Sequence, residues 1–187
     1  MAVELRNLQR RVRIAPRRIL KTARTALRDL GRPGAGVHLT FVDDARIRRL
    51  NARYLRHRRP TDVLAFPLEA PGPSGLWGEV VVSAETARRQ ARRLGVPVGL
   101  ELDLLVVHGL LHLAGYDDGD PREARLMHQR EREILKMTAP GPTARLWDGL
   151  LPIPRRGAPP PFRYLPPRVA RAKPALERPR ATSGTLR

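Results

Sequence analysis

The chain has 187 residues, enough for one domain of ordinary size with a packed core and a remainder. It contains no cysteine, which excludes disulfides and thiolate metal sites and restricts any metal ligands to nitrogen and oxygen. The formal net charge of +18 is carried almost wholly by arginine, whose planar fork binds phosphate and stacks on bases, so nucleic acid is the first partner implied; coding bias is the competing source of so much arginine.

The opening "MAVELRNLQRR" has no apolar core of signal-peptide length, and no apolar run approaches the roughly 18 residues that span a bilayer. A soluble, cytoplasmic protein with no membrane partner is the expectation. "APRRILKTARTALRDLG" places Ile19, Leu20, Ala23, Ala26, Leu27 and Leu30 on one helical stripe, with Pro16 early and Gly31 as the stop. "VHLTFVDD" alternates with period two and ends in an N-cap at Asp43 or Asp44, leading into the helix "DDARIRRLNARYL". "TDVLAFPL" and "GEVVVS" read as two further strands, separated by a proline- and glycine-rich loop at 70–75.

Ser83 caps the helix "SAETARRQARRLG", whose Ala84, Ala87, Ala91 and Leu94 face inward beneath an arginine face. "VGLELDLLVVHGLLHLAG" is apolar nearly all round, the mark of a helix buried in a core. In "DPREARLMHQREREILKM", Asp120 is the N-cap, Pro121 the first helical residue and Glu123 its capping-box partner. Leu126, Met127, Arg130, Ile134 and Leu135 form its amphipathic stripe. The sum is an α+β fold: a small mixed four-stranded sheet packed with about five helices over residues 1–140. Residues 141–187, rich in proline with ten Lys or Arg against two acids, read as a disordered basic tail that is either an RNA-contacting arm or a solvated extension.

His108 and His112 stand four apart on the apolar helix, so both imidazoles can address one ion. Gly115 suits the left-handed position that ends a helix and turns the chain back, and Asp117, Asp118 and Asp120 fall in the returning segment. An oxygen from one of them would complete three protein ligands with a fourth position open, the arrangement of catalytic zinc. The alternative is a pair of satisfied core histidines beside a helix cap. Burying two imidazoles in "LLVVHGLLHLAG" without ligation is costly, which favours the metal. Gly109 occupies the place where an "HExxH" peptidase carries its glutamate base, which counts against proteolysis.

"HGLLHLAGYDD" at 108–118, with Met127 and Glu131 on the next helix, resembles the signature of the YbeY family of bacterial rRNA-maturation endoribonucleases. "LNARYL" at 50–55, "PTDVLAFP" at 60–67 and "GEVVVSAETARRQA" at 78–91 are similar to further family segments in the same order. The resemblance spans roughly residues 3–138. It implies a zinc-type ion, one per chain, held by His108, His112 and, where the family usually has histidine, Asp118. It also implies single-strand-specific cleavage of RNA in 16S rRNA 3′-end maturation and ribosome quality control, with rRNA and the small ribosomal subunit as partners and no DNA.

Leu55 replaces the arginine that follows the family's tyrosine, and Arg56, Arg58 and Arg59 stand close enough in sequence to supply that charge. Arg56 and Arg59 are taken as the phosphate-binding catalytic residues, and Asp117 as the carboxylate that orients His112 or a water. Ala65 and Glu79 replace the family's serine and aspartate. Tyr54, Phe66, Trp77 and Tyr116 are read as core rather than as a stacking platform. The competing function is an rRNA-binding assembly factor with a structural or degenerate metal site and little catalysis.

Overall fold

A computed structural model describes residues 3–56, 59–68, 76–118 and 121–138. The loop at 70–75, Arg58, the Asp120 cap and the tail 141–187 lie outside the described residues. Strands β1 (Val3–Asn7), β2 (Gly36–Val42), β3 (Val63–Pro67) and β4 (Leu76–Ser83) form one sheet in the order β1-β2-β4-β3. β1, β2 and β4 run parallel, and β3 closes the edge antiparallel to β4. With helices α1 (Pro16–Asp29), α2 (Asp44–Leu55), α3 (Ala84–Leu94), α4 (Val98–Leu113) and α5 (Pro121–Thr138), this is the expected mixed α+β architecture.

The pleat sends alternate residues to opposite faces, and the register sorts them cleanly. Val37, Leu39, Phe41, Val63, Ala65, Val80 and Val82 enter the main core with α1, α3, α4 and α5. Leu64 and Val81 point the other way, where Val42 and Ile47 join them beneath α2. Three of the four strands are those read from the sequence; β1 was not located there, because "VELRN" offers only Val3 and Leu5 as an alternating signal in an arginine-rich surrounding.

Local chemistry sets the helix limits. Pro16 opens α1, where a missing N–H is harmless, and Gly31 ends it at φ 70°. The Asp43 carboxylate accepts from the Arg46 amide at 2.7 Å, and Ser83 Oγ accepts from the Thr86 amide at 3.2 Å. One stripe differs from expectation: on α5, Met127, Ile134 and Leu135 are buried but Leu126 is 60% exposed. The apolar face is rotated so that Glu131, fully buried, lies inside it.

Tyr54 also departs from its core assignment. It is 48% exposed, packs edge-on against Phe66 at 5.1 Å between centroids, and has the Arg53 guanidinium 5.5 Å from its ring. Trp77 is buried, and Phe66 and Tyr116 are half-buried, as core residues are.

Candidate metal centre

α4 is buried from Leu100 to Leu113 and lies against β3 and β4. Its close approach is set by Gly109: a Cβ there would meet Val80 Cγ1 at 2.4 Å and Val63 Cγ2 at 3.3 Å. The residue that removes the peptidase base is thus also the one that lets the helix sit on the sheet. His108 and His112 flank it, 0% and 3% exposed, with their Nε2 atoms 2.9 Å apart.

The helix ends in a Schellman turn. The Tyr116 amide donates to the Leu111 carbonyl and the Gly115 amide to that of His112, both at 3.1 Å, with Gly115 at φ 102°. That reversal carries Asp118 back over the imidazoles, Oδ1 3.8 Å from His112 Nε2 and Oδ2 4.0 Å from His108 Nε2. The three donor atoms all lie within 4.8 Å of one another. Ligands about 2 Å from a common tetrahedral ion are about 3.3 Å apart, so small adjustments of these separations admit one. Two imidazoles and a carboxylate, with no thiolate, suit zinc or a neighbouring transition metal.

Glu131 fixes the orientation of the first imidazole. Its Oε1 lies 2.5 Å from His108 Nδ1, and its Oε2 lies 2.9 Å from Nδ1 of His128 one helical turn earlier. An Nδ1–H donated to the carboxylate puts the His108 lone pair on Nε2, facing the cluster. Burial works to raise the Glu131 carboxyl, but the hydrogen bonds and charges of His108 and His128 outweigh it and hold the group well below the usual carboxylate range. Burial also opposes charge on His128, yet the Glu131 hydrogen bond and charge, with Asp118 adding, raise its affinity for a proton. Burial pushes the Asp118 carboxyl up despite the pull of His108.

Further along α4, Glu101 is 2% exposed. Burial first, then the charges of Asp62 and Glu131, push it up to about 7 against the pull of Arg93.

The fold therefore gathers His108, His112 and Asp118 in one place, and Arg56 and Arg59 lie on the α2–β3 connection. Both arginines are exposed. Arg56 caps α2 with a left-handed backbone, φ 59°, and the Arg59 carbonyl accepts from Asn51 Nδ2 at 2.7 Å, which ties that connection to the helix. Asp117 is half-buried, and its charge adds to the upward push on Asp118. A cleft of about 510 Å³ lies elsewhere, lined by Arg11, Asp43, Asp44, Arg48, Glu85 and Arg89 among others. Its Asp44 already accepts from Ser83, Thr86 and Arg89, and its Glu85 from Arg11 and the Asp44 amide.

The YbeY family model, described as endoribonuclease YbeY, matches residues 4–139. The chain belongs to the YbeY family. An endoribonuclease YbeY from Anaeromyxobacter sp. (strain Fw109-5) is 44% identical over 137 residues, covering 73% of this chain and 71% of that protein. One from Anaeromyxobacter dehalogenans (strain 2CP-C) is 45% identical over 123 residues, covering 65% and 64%. One from Syntrophus aciditrophicus (strain SB) is 38% identical over 141 residues, covering 72% and 88%. A solution structure of a Thermotoga maritima protein shares the fold, with a TM-score of 0.52 at 24% identity over 73% of this chain and 88% of that one.

In the sequence, Glu131 matches the family pattern without a role attached, and nothing there marks His128. A signal existed: a glutamate at the fourth position after Met127 and the third before Ile134 sits on the core stripe, where an acid needs a partner.

Proposed function

We propose that the protein is a metal-dependent endoribonuclease of zinc type, cleaving single-stranded RNA in 16S rRNA 3′-end maturation and ribosome quality control. The observation that carries this reading is the His108, His112 and Asp118 cluster under the Glu131 clamp, in a chain of this family. His108, His112 and Asp118 would hold the ion, which would supply Lewis-acid polarisation of a phosphodiester oxygen and activation of a water. The substitution of a carboxylate for the third imidazole adds a negative charge beside the substrate phosphate, which the arginine-rich surface offsets.

The remaining roles fall to the chain's own residues. Glu131 keeps His108 in the tautomer that presents Nε2. Arg56 and Arg59, exposed on the α2–β3 connection, bind the scissile or an adjacent phosphate and offset charge that develops on it. Asp117 orients His112 or a water. The exposed arginines of α2 and α3 hold the RNA backbone through contacts that weaken with salt. rRNA within the small subunit supplies the sequence context, in keeping with a body of few aromatic residues. We place the work in the cytoplasm, where ribosomes are assembled.

The test is cleavage of one RNA presented single-stranded and as a duplex, before and after chelation and zinc repletion. The proposal expects cutting of the single strand alone, lost with the chelator and restored by metal. RNA binding without cleavage under every metal condition would favour an assembly factor instead.

A further inference from the structure

We propose that His128 is the proton-transfer residue of this site, oriented by the same carboxylate that orients His108. The inference deepens the endoribonuclease reading and rests on it. Three observations converge on His128. Glu131 Oε2 meets its Nδ1 at 2.9 Å, while Oε1 of the same group meets Nδ1 of His108 at 2.5 Å. One buried carboxylate therefore holds two imidazoles in the same sense. Among the described residues the donor set that could hold an ion is His108, His112 and Asp118, and His128 lies outside it. Its side chain retains 21% of its exposure where His108 has none, so solvent and substrate can reach it.

A carboxylate that fixes Nδ1–H leaves proton exchange to Nε2 and stabilises the imidazolium, the arrangement by which a histidine serves as acid and base near neutrality. Among the described residues, the acidic groups that act on this ring are Glu131 on its own helix and Asp118 from the turn after α4. In the hydrolysis, the oxygen of an attacking water bonds to phosphorus as the bond from phosphorus to the departing ribose oxygen breaks. The departing oxygen takes the Nε2 proton of His128. The water releases a proton to solvent, and the neutral imidazole recovers one from solvent.

The experiment compares wild type with His128→Gln, whose amide retains a donor for Glu131 and cannot relay a proton. Each cleaves ordinary single-stranded RNA and the same RNA with sulfur in place of the bridging oxygen that departs, since a thiolate leaves without protonation. Metal content and thermal unfolding are measured on the same preparations. The expected result is unchanged metal content and unfolding temperature, a loss of roughly 100-fold or more on ordinary RNA, and near wild-type cleavage of the sulfur-bridged RNA. Equal losses on both substrates, no loss on ordinary RNA, or loss of metal from the variant would each overturn the assignment. In the metal-free protein, imidazole nitrogen shifts should place the proton of neutral His128 on Nδ1, and finding it on Nε2 would overturn the orientation. A metal-loaded wild type that cleaves neither RNA would overturn the endoribonuclease reading, and His128's role with it.

Discussion

Glu131 and His108 meet across the α4–α5 interface, Oε1 to Nδ1 at 2.5 Å, with neither side chain exposed to solvent. The contact ties the candidate metal site to the core. A residue of α5 decides which nitrogen of an α4 histidine faces the cluster, so packing and ligand chemistry are coupled at one hydrogen bond.

Replacing Glu131 separates these roles. Glu131→Ala leaves two imidazoles without their acceptor and is expected to cost about 3 kcal/mol in denaturant unfolding. Glu131→Gln keeps the volume but serves one imidazole as acceptor and meets the other with an amide donor. Its zinc affinity should fall roughly 10- to 100-fold in a chelator competition. Unchanged affinity in the Gln variant would mean that Glu131 does not orient the ligand.

Gly109→Ala tests the close approach of α4 to the sheet. The new methyl would meet Val80 and Val63 in strands that are themselves buried, so neither side can withdraw freely. A loss of about 1–3 kcal/mol in chemical unfolding is expected, although alanine is the better helix former. Gly109→Ala combined with Val80→Ala should recover part of the loss, and no recovery would place the strain elsewhere.

Glu101 should make stability depend on pH. Its folded value near 7 lies above the ordinary 4.5, so its favourable contribution is present below about pH 4.5 and is lost as pH rises through 7. The difference in unfolding free energy between Glu101→Gln and wild type should shift toward the variant by about 3 kcal/mol from pH 4 to pH 8. A difference that stays flat over that range would show that Glu101 ionises in the fold as it does in water.

Arg56 and Arg59 are tested by salt. Each phosphate contact to a single strand contributes about 0.7 to the slope of log affinity against log salt. Arg56→Gln and Arg59→Gln should each lower the slope by about that amount with the metal content unchanged. A slope equal to wild type in both would remove them from the RNA path.

Much of this arrangement is legible in the sequence where local rules act. The pair His108 and His112 follows from helical spacing, the turn at Gly115 from its tolerance of positive φ, and the limits of α1, α2 and α3 from Pro16, Asp43 and Ser83. Asp118 needed the family resemblance, since spacing alone left Asp117 and Asp120 equal to it. What was not legible depends on contacts far apart in the chain. Glu131 lies 23 residues from His108, and nothing local says that α5 turns an acid into the core rather than presenting Leu126. Tyr54, near the end of α2, packs edge-on against half-buried Phe66 and stays 48% exposed, a placement set by a contact that local spacing does not show.

Metal stoichiometry measured on wild type, His112→Ala and Asp118→Ala, with RNA cleavage followed on the same preparations, is the most direct test of the central claim. Near one zinc or related ion per wild-type chain, lost with either substitution together with cleavage, is the predicted result. A wild type that binds rRNA, takes up no metal when it is supplied and cuts nothing would contradict it.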